Sequence, residues 1–150
     1  MTYGPENATL TIHTRRGGAA AKAGHDLTIL VERWTASDDG GELVFEADSS
    51  SLKVLQGTGG AFSLGDDEKA AIKQTIDEEI LKGSPISYRN GELTLNGVTR
   101  PIAYDFDGAH GRAEIKQTDF KIKPYSALFG TLKVADVVEV TIDATLPKGT

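Results

Sequence analysis

Most of this chain alternates apolar and polar residues with a period of two, and the clearest example is VVEVTIDATL at 137–146. Val138, Val140 and Ile142 fall on one side of that stretch, opposite Glu139 and Thr141. Successive side chains of a strand point to opposite faces, so the pattern predicts a β-strand with one buried face. Similar stretches recur between glycines: ATLTIHT, LTILVERWT, ELVFEAD, GELTLNGV and TRPIAYDF. The alternation therefore predicts a fold built mainly from antiparallel strands.

About eight such strands are separated by short connections, and no strand–helix–strand rhythm occurs. Such a set favours an all-β antiparallel barrel or sandwich over a parallel α/β sheet. SDDGG at 37–41 is predicted to turn the chain back into ELVFEAD, and Asn96-Gly97 is a strong signal for a two-residue hairpin.

One segment departs from the strand pattern, at about residues 66–82. Ile72, Ile76 and Ile80 recur there every fourth residue, which predicts an amphipathic helix that contacts the rest of the fold along a narrow apolar stripe. Acidic residues crowd its first turn, where they suit the positive end of the helix dipole, and Lys82-Gly83 is a typical end signal.

Length, charge and cysteine content exclude several classes of protein. A chain of 150 residues is the size of one compact domain, so a single domain over 1–150 is expected, with its core at about 8–146. Cysteine is absent, which excludes disulfides, iron–sulfur clusters, thiolate zinc sites and a thiol nucleophile. A net charge of −6 disfavours nucleic-acid partners.

The sequence also bears on membranes and on localisation. No apolar run approaches the roughly 20 residues that cross a bilayer, so no membrane insertion is expected. The first residues do not form a secretory leader, which predicts a cytoplasmic protein, or a periplasmic or secreted one if a leader has been removed.

His25-Asp26 is the most suggestive pair for catalysis. Adjacent strand residues point to opposite faces, so the two side chains are not expected to act as a hydrogen-bonded dyad. His13, His25 and His110 show no metal-ligand spacing, and no serine lies in a nucleophile-elbow motif. No cofactor or metal is expected, and His25 is interpreted as a structural or cavity-lining residue.

The order of features resembles the YceI-like family of lipocalin-like polyisoprenoid-binding proteins, over roughly residues 8–146. LTLNGVTRPI at 93–102 is similar to the family signature L-T-x-x-G-V-T-K/R-P, and GHDL at 24–27 is similar to its segment before the second strand. The resemblance implies an eight-stranded antiparallel lipocalin-like barrel, a helix against it, and an apolar tunnel for an isoprenoid or lipid-like molecule.

The leading hypothesis is therefore a non-enzymatic protein that sequesters or transports such a ligand. Aromatic and aliphatic residues are expected to line the tunnel, and two polar residues to meet a head group at its rim. The predicted lining residues are Leu27, Ile29, Phe45, Ile102, Tyr104, Phe106, Tyr125 and Phe129; the predicted rim residues are His25 and Arg100.

The alternative hypothesis is a structural or stress-related domain with a filled interior, acting without a ligand through its outer surface or as a homodimer. By strict alternation Leu30, Trp34 and Val137 fall on the outer faces, where they could form such an interface. An enzyme is a distant third reading.

Overall fold

The structure, a computed structural model, describes residues 2–14, 26–39, 42–58, 66–107, 109–122, 126–127, 132–133 and 135–144. Most of these residues form strands. In chain order the strands are β1 (Thr2–Tyr3), β2 (Ala8–His13), β3 (Asp26–Val31), β4 (Trp34–Asp39), β5 (Glu42–Ala47), β6 (Leu52–Thr58), β7 (Ile86–Arg89), β8 (Glu92–Leu95), β9 (Val98–Pro101), β10 (Tyr104–Phe106), β11 (His110–Lys116), β12 (Ser126–Ala127), β13 (Leu132–Lys133) and β14 (Val137–Ala144). The helical elements are α1 (Asp66–Thr75), a π-helical turn (Ile76–Ile80) and two 3₁₀ turns (Ser49–Ser51 and Gln117–Phe120).

Twelve of these strands form two six-stranded antiparallel sheets. The first sheet has the order β1-β4-β5-β7-β8-β9 and the second has the order β10-β11-β14-β2-β3-β6, while β12 pairs with β13. The prediction of a mainly antiparallel β fold with one helix is confirmed. The prediction of a closed eight-stranded barrel is wrong, because the described residues form two separate sheets with twelve strands.

Three bends carry the chain from one sheet to the other, and two of them raise the strand count. The chain leaves the second sheet after β3 and enters the first sheet at β4; it passes back between β5 and β6, and again between β9 and β10. The first and third bends each divide one predicted strand, LTILVERWT and TRPIAYDF respectively, into two shorter strands that belong to different sheets. The apolar faces of the two sheets consequently share one interior.

The first two bends are hydrogen-bonded to each other. The Arg33 backbone N–H donates to Ser51 Oγ at 3.0 Å, and the Asp48 N–H donates to the Arg33 carbonyl at 3.0 Å. The Asp48 carboxylate accepts from the Ser50 N–H at 2.9 Å and from Arg33 Nε at 3.0 Å. These four hydrogen bonds hold the two bends together where two strands change sheet.

The bend after β3 also changes which side chains face inward. Val31 is buried, Glu32 and Arg33 are both exposed, and Trp34 is buried with only 4% of its surface accessible. Two consecutive outward residues shift the alternation by one position. The prediction that Trp34 lies on an outer face is therefore wrong. Val137, which was also predicted to lie on an outer face, is 43% exposed.

The predicted Asn96-Gly97 hairpin is confirmed. Both residues have positive φ, 53° and 73°, and they join β8 to β9 with Leu95 opposite Val98. Positive φ at both central residues is the requirement of a type I′ turn, which Asn-Gly meets at low cost. A second Asn-Gly pair at 90–91 has the same conformation and joins β7 to β8.

The predicted helix over 66–82 begins at Asp66, but its regular α-helical part ends at Thr75. The next five residues form a π-helical turn, after which the Leu81 N–H donates to the Ile76 carbonyl at 2.8 Å. Ile72, Ile76 and Leu81 are all buried. The wider turn brings Leu81 onto the apolar side of the helix, and the chain then leaves at Lys82 and Gly83, both with positive φ.

Candidate ligand-binding cavity

A cavity of about 280 Å³ lies in the apolar interior. Both sheets and the helical segment contribute to its wall. The lining side chains on the strands of the first sheet include Tyr3, Ala36, Leu43, Phe45, Ala47, Ile86, Tyr88, Leu93 and Leu95; those on the strands of the second sheet include Leu10, Ile12, Leu27, Ile29, Val31, Leu52, Tyr104, Phe106, Val138, Val140 and Ile142.

The surface of this wall consists almost entirely of apolar atoms. Three polar side chains of the wall have hydrogen-bond partners within the protein. Thr14 Oγ1 accepts from the Leu27 N–H at 3.1 Å, the Tyr88 hydroxyl donates to the Ile102 carbonyl at 3.1 Å, and Gln117 Nε2 donates to the Ala135 carbonyl at 3.0 Å. A wall of this kind favours hydrocarbon, because a polar ligand group inside would lose its hydrogen bonds to water without replacing them.

Two aromatic pairs connect the sheets across the edge strand β10. Tyr3 and Phe106 meet edge to face, with ring centroids 5.6 Å apart, and Tyr88 and Tyr104 do the same at 5.6 Å. Tyr104 and Phe106 belong to β10, whereas Tyr3 and Tyr88 belong to β1 and β7 of the first sheet. Side-chain packing, worth about 0.5–1.5 kcal/mol for each pair beyond area burial, thus joins the sheets here.

The helical segment forms another part of the wall. Ile72, Ile76 and Leu81 line the cavity. Lys73, which follows Ile72 in the chain, donates to the Ser50 carbonyl at 2.9 Å and pairs with Asp77 at 2.8 Å. The predicted apolar stripe is therefore a wall of the cavity, and a polar contact fixes the helix to the turn between β5 and β6.

Six of the predicted lining residues lie on this wall: Leu27, Ile29, Phe45, Ile102, Tyr104 and Phe106. Tyr125 and Phe129 lie outside the described residues, as does the rim candidate His25. Arg100 is exposed on β9 and is not part of the cavity wall. The structure thus brings these six residues together on one wall, and Arg100 is not among them.

Several lining residues were not among the predicted site residues. Val140 and Ile142 carry the same period-two signal as the chosen residues, so the alternation of the last strand could have identified them. Tyr3 and Tyr88 could hardly be predicted from alternation, because their strands are too short to show a period of two: β1 has two residues and β7 has four.

The remaining histidines in the described part of the chain lie away from the cavity. His13 Nε2 is 3.1 Å from Thr141 Oγ1, and His110 Nδ1 is 2.7 Å from Asp143 Oδ1. Asp143 raises the pKa of His110 through this hydrogen bond, with a smaller effect from the charge of Asp107. Within the described ranges, no group of three or more His, Cys, Asp or Glu residues is placed to hold a metal ion.

The fold and cavity define a class of protein with two antiparallel sheets around an apolar cavity. The model of the YceI-like domain matches residues 41–146, which is more than half of the chain. The chain belongs to the YceI-like family. The family prediction, made chiefly from LTLNGVTRPI, is thereby confirmed.

A solved structure supports the same fold. The crystal structure of BcnA from Burkholderia cenocepacia has a TM-score of 0.50 and 15% sequence identity, covering 90% of this chain and 93% of that chain. At that identity the similarity concerns the fold alone. A search of curated proteins finds no match. Among the described residues, no helix is both long and apolar enough to span a membrane.

Proposed function

We propose that this protein binds and sequesters an isoprenoid or similar lipid-like chain in the cavity between its sheets, without catalysing a reaction. The observation that carries the proposal is the cavity of about 280 Å³ whose wall is almost wholly apolar. Membership of the YceI-like family supports it, since the resemblance to that family implies polyisoprenoid binding.

The physical gain comes from removing apolar surface from water. Each buried methylene contributes about 0.8 kcal/mol, so one five-carbon isoprene unit contributes about 4 kcal/mol. That gain corresponds to roughly a thousandfold in affinity before the cost of ordering the ligand. A short length of chain therefore supplies useful affinity without any polar contact.

The cavity disfavours the alternative of a filled structural domain. An interior packed only by its own side chains would not leave a void of about 280 Å³ between the sheets. Burial of Trp34 also removes one of the three residues suggested for an outer interface.

A pair of matched substitutions on β14 tests the proposal. Val140 lines the cavity, whereas Val137 is exposed on the same strand. We expect Val140→Phe to fill part of the cavity and to weaken binding of an isoprenoid alcohol by about tenfold or more, corresponding to about 1.4 kcal/mol. Val137→Phe makes the same change outside the cavity and should bind like the wild type.

The measurement is displacement of a fluorescent fatty-acid probe, combined with native mass spectrometry of the protein gently extracted from its expression host. Thermal melts of both variants establish that each is folded. Absence of saturable binding by the wild type would contradict the proposal, as would equal loss of binding in the two variants.

A further inference from the structure

The helical segment at residues 66–81 is attached to the sheets by very few hydrogen bonds. Among the described residues, no backbone hydrogen bond joins it to a strand, and one side-chain hydrogen bond ties it to the turn before β6, from Lys73 Nζ to the Ser50 carbonyl at 2.9 Å. Its other side-chain hydrogen bonds stay within the segment, such as those from Lys73 to Asp77 and from Gln74 to Glu78.

The strands of the cavity wall are held much more firmly. β11 pairs with β14 over seven residue pairs, and β14 pairs with β2 over six. Separating either pair of strands would break a row of backbone hydrogen bonds together, and the bends and aromatic pairs also join one sheet to the other. As far as the structure describes the wall, the helical segment is therefore the part that moves with the smallest loss of hydrogen bonds.

Apolar contacts keep this segment closed over the cavity. Ile72, Ile76 and Leu81 all line the cavity, and they are only 2%, 8% and 6% exposed. Because burial of three such side chains is favourable, the closed position predominates, and their exposure is the main cost of opening. The Lys73 hydrogen bond adds to this closed position without contributing to the apolar wall.

The chain that follows the segment offers a hinge. Lys82 and Gly83 both have positive φ, 52° and 72°, and they lie between Leu81 and β7. No atom lies within 4 Å of the position that a Cβ on Gly83 would occupy, so the chain there is not packed against a neighbour. Rotation at these two residues would move the helix and leave the ladders of both sheets intact.

We propose that the helical segment is a lid, which turns about Lys82 and Gly83 to admit and release the ligand chain, and that the hydrogen bond from Lys73 to Ser50 is its latch. This inference rests on the proposed function, because it assigns the route of a ligand held in the cavity. The latch stabilises the closed position of the empty and the loaded protein alike. Its loss therefore speeds entry and release by the same factor and leaves the equilibrium affinity unchanged.

Stopped-flow kinetics of the fluorescent fatty-acid probe test the latch, with association followed on mixing and release followed on a chase with excess unlabelled fatty acid. We expect Lys73→Met to raise both rate constants about fivefold, the usual effect of one hydrogen bond, at an unchanged dissociation constant. Lys69→Met is the matched control. It removes the same charge from the same helix, and Lys69 has no hydrogen-bond or ion-pair partner among the described residues, so its rates should equal those of the wild type.

A covalent link tests the motion itself. The chain contains no cysteine, so Ser50→Cys together with Lys73→Cys introduces two thiols that a short bis-maleimide joins. Joining them in the loaded protein should slow release of the probe at least tenfold relative to the same variant before linking. Lys69→Cys with Lys73→Cys is the control, because that link lies within the helix and should leave release unchanged.

The outcomes separate the lid from the proposed function. A wild type that shows no saturable binding of the probe contradicts the proposed function itself. The lid is overturned, and the cavity kept, if Lys73→Met has the rates of Lys69→Met or changes one rate constant alone. Release that is as fast after linking residues 50 and 73 as before also overturns it.

Discussion

At the scale of single residues, Gly111 shows how closely the wall of the cavity is packed. It lies on β11 between Phe106 on one neighbouring strand and Ile142 on the other. A methyl group on Gly111 would lie 2.5 Å from Ile142 Cγ2 and 3.0 Å from Phe106 Cδ1. The first separation is shorter than van der Waals contact, so one of these side chains would have to move.

We expect Gly111→Ala to lower the free energy of unfolding by about 1–3 kcal/mol, the usual cost of overpacking. Urea unfolding at neutral pH measures this value. In an Ile142→Ala background the main clash is absent, so the same substitution should cost less. Equal costs in the two backgrounds would show that the Ile142 contact is not the cause.

Single residues also show what alternation along a strand can and cannot predict. Leu27 and Ile29 were placed correctly because they lie within one continuous strand. Trp34 was misplaced because Glu32 and Arg33 both face outward at the bend, and no glycine or proline marks that bend. Tyr88 and Gly111 line the cavity through contacts with distant strands, and the sequence contains no local signal for such contacts.

At the scale of elements, turns were more predictable than helix geometry or sheet membership. Asn-Gly has a specific conformational preference, so the β8–β9 hairpin could be predicted, and the pair at 90–91 carries the same signal. The change from α-helix to π-helix after Thr75 depends on how Ile76 and Leu81 meet the sheets. That change, like the passage of two predicted strands from one sheet to the other, is set by tertiary packing.

The β8–β9 hairpin provides a test at this scale. Gly97 has a φ of 73° and no atom within 4 Å of the position its Cβ would occupy, so a substitution there meets strain without a clash. We expect Gly97→Ala to cost about 1–2 kcal/mol in the free energy of unfolding, because a left-handed conformation disfavours Cβ. Gly97→Asn should cost clearly less, since asparagine tolerates that conformation.

Chemical denaturation of Gly97→Ala and Gly97→Asn measures the free energy of unfolding of each variant. Asn96 Nδ2 donates to the Phe120 carbonyl at 3.1 Å, so the hairpin is also held to the 3₁₀ turn, and both variants preserve that bond. Equal destabilisation by alanine and asparagine would contradict an origin in backbone strain.

At the scale of the whole molecule, surface carboxylates set the acid limit of stability. Hydrogen bonds from Ser50 and then from Arg33 lower the pKa of Asp48 from 3.8 to about 2. Backbone donors of His110 and Ala109 lower the pKa of Asp107, and Thr118 lowers that of Asp136. A lowered folded-state pKa stabilises the protein above the unfolded value, and this contribution is lost as pH falls, for Asp48 between about 4 and 2.

The pKa of His110 is shifted in the opposite direction, so its contribution to stability is lost at high pH instead of low pH. Asp143 raises its pKa above 6.5, so the folded state holds the proton more tightly than the unfolded state. That contribution is fully present below pH 6.5 and is lost as pH rises through the folded-state pKa. The carboxylate and histidine contributions are therefore both complete only in a mildly acidic window, between about pH 4 and 6.5.

We expect the urea midpoint of the wild type to be highest in that window, to fall on the acid side, and to fall more gently on the alkaline side. His110→Gln should abolish the alkaline decline and Asp143→Asn should reduce it, since Asp107 still raises the pKa of His110; both variants should keep the acid decline. Because His110 and Asp143 are largely exposed, salt should weaken the contribution of their charges. An alkaline decline that persists unchanged in both variants would assign the pH dependence to groups other than this pair.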